Sequence, residues 1–96
     1  MPKVRVPRKG VTPAELVAVL SRRLGPAYQV ENNDQGRVVV RKGPMSYATI
    51  SVVSTPGASV FRVHGGGLPV LRLATTFGTA RRVADVLRRS PEFRSL

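Results

Sequence analysis

Between residues 27 and 64 the chain holds four strand-length runs, separated by turns too short to contain a helix. Parallel neighbours need a crossover of about a dozen residues or more, so runs joined by so little chain pair antiparallel. Residues 27–32 set Tyr28 and Val30 against Gln29 and Glu31. Asn33-Asp34-Gln35-Gly36 has the composition of a hairpin loop. Residues 37–42 form a second run, and Gly43-Pro44 breaks it. A longer run over 45–54 is rich in Thr, Ile and Val. Thr55-Pro56-Gly57-Ala58 then places Pro and Gly where a type II turn wants them. Residues 59–64 make the fourth run, and Gly65-Gly66-Gly67 is expected to end the sheet as a connector.

Helical signals flank this block. Thr12 suits an N-cap, Pro13 the first helical position, and Glu15 completes a capping-box pattern. Val11 and Leu16 are placed for a hydrophobic staple. Leu16, Val17, Leu20 and Leu24 recur at helical spacing, Arg22 and Arg23 suit the negative end of the dipole, and Gly25-Pro26 stops the helix. The span predicted is 13–24. A second helix is predicted over 68–90, with a kink or break at Gly78, where the apolar face rotates. Beyond it Ala80, Val83, Ala84 and Leu87 face one way, and Arg81, Arg82, Arg88 and Arg89 the other.

The expected fold is therefore α+β. It is a two-layer α-β-β-β-β-α arrangement, an antiparallel four-stranded meander with both helices packed on one face. A 42% hydrophobic content over 96 residues suits one folded domain, assigned to 11–96. Residues 1–10, with prolines at 2 and 7, are expected as a basic flexible arm, or at most an edge strand through Val4-Arg5-Val6. There is no cysteine, hence no disulfide and no thiolate metal site, which suits a cytoplasmic location. No apolar run approaches the ~20 residues of a transmembrane helix.

Charge narrows the function. Sixteen Lys and Arg against five Asp and Glu leave +11. So large an excess repels itself in the compact state, and its usual reason is an acidic partner. If Val38, Val40, Ala48, Ile50, Val52, Phe61 and Val63 face the helices, alternation sends Arg37, Val39, Arg41, Tyr47, Thr49, Ser51, Val60, Arg62 and His64 to the opposite face. A cationic track with an aromatic beside it is what single-strand binders use. The nucleic-acid candidates are Lys3, Arg5, Arg8 and Lys9 of the arm, Arg37, Arg41, Tyr47 and Arg62 of the sheet, and Arg81, Arg82, Arg88 and Arg89 of the last helix.

Catalysis has little to work with. One His and no Cys leave a metal site and a nucleophile–base pair without ligands or base, and no two carboxylates are spaced for acid–base work. No enzyme, metal or cofactor is expected. His64-Gly65-Gly66-Gly67 resembles the oxyanion segment of α/β-hydrolases, but the G-x-S-x-G elbow that accompanies it there is absent. The expectation is a small non-catalytic basic module binding nucleic acid through phosphates, with little sequence specificity. The alternatives are a homodimer through Val39, Val53 and Val60 on the open face, an acidic protein partner, and peripheral binding to an anionic membrane.

Overall fold

Alternation in the short segment Lys-Val-Arg-Val decides how the sheet begins. In the computed structural model, which describes residues 3–33, 35–43, 46–67 and 77–94, Lys3–Val6 is a strand, β1. Val4 and Val6 are buried while Lys3 and Arg5 are exposed. Of the two expectations for this segment, the structure takes the edge strand over the flexible arm. Residues 3–6 of the arm are part of the domain, and the meander of four becomes an antiparallel sheet of five. Pro7 falls just past the end of this edge strand, where its missing amide removes no ladder hydrogen bond.

Helix α1 (Pro13–Leu24) follows, with Thr12 as its N-cap and Pro13 at its first position. The Thr12 hydroxyl accepts from the Glu15 amide at 3.2 Å. The Glu15 carboxylate reaches the Arg8 guanidinium at 2.8 Å, binding the segment after β1 to the start of the helix. Val11 and Leu16 are both buried, as a staple requires. Gly25, at φ 85°, ends the helix in backbone that favours glycine.

Then come β2 (Gln29–Asn32), β3 (Val38–Lys42), β4 (Ser46–Thr55) and β5 (Ala58–Gly67). The spatial order is β1-β5-β4-β3-β2, so α1 carries the chain from one edge of the sheet to the other. In the β2–β3 loop Asn33 Oδ1 accepts from the amides of Gln35 and Arg37, and Gly36 adopts φ 74°. Two sequence expectations fail along β4–β5. Gly57 does not take a positive φ, so the turn between the paired Thr55 and Ala58 is not type II. And Gly65, Gly66 and Gly67 are strand, opposite Ala48, Tyr47 and Ser46. Extended backbone suits glycine as well as any residue, and the long partner strand supplies the ladder that the local sequence does not advertise.

Helix α2 runs Phe77–Arg89, with Gly78 in its first turn. The predicted helical stretch over 68–76 lies outside the described residues. Ala80, Val83, Ala84 and Leu87 are buried and Arg81, Arg82, Arg88 and Arg89 exposed, as the pattern requires. Ser46 and Thr79 join β4 to α2 through buried hydroxyls 2.6 Å apart. A 3-10 turn (Pro91–Phe93) closes the described chain, its Phe93 ring edge-on to Phe61 with centroids 5.2 Å apart.

Both helices cover one face of the sheet. Leu16, Leu20, Val83 and Leu87 share a core with Val4, Val38, Val40, Ile50, Phe61 and Val63, which alternation places on that face. No described helix is long and apolar enough to cross a membrane. Ser59 is a fully buried polar residue of this interior. Its hydroxyl donates to the Arg8 carbonyl at 2.7 Å and accepts from the Val11 amide at 3.3 Å, pinning the link between β1 and α1 to β5.

Candidate functional site

The register arranges the open face in cross-strand rows. One row sets Lys3 of β1 opposite Arg62 of β5, which in turn is opposite Ser51 of β4. The next sets Arg5 opposite Val60, and Val60 opposite Val53. Three cations thus occupy two adjacent rows at the β1 edge. Directly opposed like charges cost sheet stability, yet among the described residues no ion pair reaches Lys3, Arg5 or Arg62. Together with Val53, Thr55 and Val60 they line a shallow depression of about 370 Å³. Val53 is 39% exposed, an apolar floor between the cationic heads.

Toward the β2 edge the face changes character. Arg41 Nε donates to Glu31 Oε1 at 3.3 Å, so its charge is partly answered. Tyr47 is 43% exposed and lies between Arg41 on β3 and Gly66 on β5. Thr49 sits between Val39 and an exposed His64.

The remaining candidates do not join this face. Arg8 is half-buried, bound to Glu15 and donating to the Glu92 carbonyl at 3.2 Å, so it closes the fold instead of offering a charge. Lys9 and Arg37 are exposed in connecting segments. Arg81, Arg82, Arg88 and Arg89 lie on the outer side of α2, with the sheet between them and the open face. Arg88 is paired with Asp85 at 3.4 Å. The candidates of the sheet and those of α2 therefore fall on two surfaces, because both helices pack on the face opposite the exposed rows.

Sequence reasoning missed a third group. Glu92, near the end of the described chain, receives Arg22 at 2.6 Å and Arg23 at 2.9 Å. The Arg22 hydrogen bond, and then that of Arg23, lowers its pKa from 4.5 to about 2. Arg22 and Arg23 also line a groove between the helices with Arg82, Asp85, Val86 and Arg89. About seventy residues of chain separate the partners of this clamp, so no local spacing signals it. Each described carboxylate, on Glu15, Glu31, Asp85 and Glu92, is held by an arginine.

Comparison with protein-family models, with curated proteins and with solved structures returns no match.

Proposed function

We propose that this chain is a non-catalytic module that binds nucleic acid on the open face of its sheet, through phosphate contacts and with little sequence specificity. The observation that carries the reading is the Lys3–Arg62 pair with Arg5 in the next row. Lys3 and Arg62 are held opposite one another by backbone register, at a cost in folding energy, and among the described residues no carboxylate answers them or Arg5. Such an arrangement is stabilised when a polyanion arrives, and the ions released on binding drive the association. Tyr47 offers a ring for a base to stack on, and Thr49, Ser51 and His64 supply hydrogen-bonding groups between it and the cations.

The test is binding to single-stranded DNA, duplex DNA, RNA and anionic vesicles across a salt series. For single strands, log K falls linearly with log salt, by about 0.7 per phosphate neutralised. Replacing Lys3, Arg5 and Arg62 together by Gln reduces that slope by about 2. Absence of affinity at low salt, or a slope the triple variant leaves unchanged, overturns the reading. Preference for vesicles over every nucleic acid transfers the surface to a membrane.

Exposed Val53 and Tyr47 favour a second reading, a homodimer through the same face. A dimer buries these apolar groups but also brings the unanswered cations of both copies into one interface. Sedimentation equilibrium separates the two, since the first reading expects a monomer at low salt without nucleic acid.

A further inference from the structure

The groove between α1 and α2 lies on the helical side of the molecule. The sheet separates it from the open face, so a ligand there is independent of any role of that face. Its volume is about 500 Å³, within the range of small-molecule sites. Arg22 and Arg23 enter it from the last turn of α1, Arg82 and Arg89 from α2. Arg82 and Arg89 stand two turns apart, about 10 Å along the helix axis. Val86, almost fully buried, contributes an apolar patch of wall.

Carboxylates answer these four guanidinium groups unevenly. Glu92 takes both Arg22 and Arg23, with Arg23 Nε donating to its two oxygens at 3.0 and 3.2 Å. Asp85 lines the groove but its ion pair is with Arg88. Among the described residues no ion pair reaches Arg82 or Arg89. The two arginines on the α1 side of the groove are already engaged by a carboxylate, Glu92, while the two on the α2 side have none among the described residues. Arginine forks match phosphate oxygens in pairs, and four of them spread over two helices exceed what a single carboxylate satisfies.

We infer that this groove binds a small ligand carrying two or more phosphate groups, gripped by Arg82 and Arg89, and that Glu92 competes with it for Arg22 and Arg23. Binding the ligand draws the α1 arginines away from Glu92 and loosens the 3-10 turn that carries it. Asp85 opposes ligand binding, and its pairing with Arg88 limits that opposition.

Calorimetric titration with inorganic tripolyphosphate at low ionic strength tests the inference on four proteins: wild type, the double variant Arg82→Gln/Arg89→Gln, Glu92→Gln, and the triple sheet variant at Lys3, Arg5 and Arg62. The expected result is one ligand per wild-type chain, with affinity at least about tenfold weaker in the Arg82/Arg89 variant, as the loss of charge-assisted hydrogen bonds requires. Glu92→Gln binds severalfold tighter, because it frees Arg22 and Arg23. The sheet variant binds like wild type. No binding by wild type, wild-type affinity in the Arg82/Arg89 variant, or loss of binding in the sheet variant overturns the site. Unchanged or weaker binding by a folded Glu92→Gln overturns the competition. Arg82 and Arg89 are exposed, so their variant folds and decides the site even where Glu92→Gln does not.

Discussion

Glu92 receives guanidinium groups from both Arg22 and Arg23, and these hold its carboxyl at about 2 instead of 4.5. A depressed carboxyl pKa makes folding stability depend on pH in one direction. The ionised form is favoured in the folded state, so the contribution is complete above about 4.5 and is lost as pH falls toward about 2. Urea unfolding of wild type and Glu92→Gln, followed down this window, shows the result. The stability difference between them is constant at neutral pH, shrinks on acidification, and loses its pH dependence near pH 2. A difference that stays flat throughout shows the clamp absent in solution. Nothing near Glu92 in the chain announces these partners, since they lie on a helix near the other terminus. Arg8 behaves the same way, because a basic residue among basic residues proves to be tied to Glu15 and to the Glu92 backbone.

Local pattern carried most of the information about single elements. The cap at Thr12, the hairpin at Asn33–Gly36 and the amphipathic face of α2 all follow from spacing and residue type, and the structure reproduces them. The extent of β5 does not follow, because three consecutive glycines look like a break until a ten-residue partner strand is available to pair them. Gly78 illustrates the same limit. It sits in the first turn of α2 with open space where a Cβ would go and without a positive φ. Gly78→Ala therefore stabilises the protein by about 0.5 kcal/mol, chiefly by restricting the unfolded chain. Thermal unfolding detects this as a rise in Tm, and a fall shows that the helix start needs glycine for another reason.

At the scale of the whole molecule, the first strand decides how closed the fold is. Val4 and Val6 are buried in the same core as α1 and α2, and β1 covers the outer edge of β5. Deleting residues 1–6 removes two core valines, at roughly 1.5–3 kcal/mol each if fully buried, together with a strand ladder. The truncated chain is expected to unfold well below wild type in a thermal melt. An unchanged Tm restores residues 1–6 to a free arm. The same strand brings Lys3 and Arg5 to Arg62 and so builds the candidate site.

By itself, the sequence determined the α+β class, the two helical faces, the antiparallel pairing and the excess of positive charge. These depend on spacing, on turn length and on counting, all of which are local or global sums. Tertiary structure alone decided which charges stand together. It brought Lys3 to Arg62, and Arg22 and Arg23 to Glu92. Such proximities arise from pairing between distant parts of the chain, and charge bears no period that reports them.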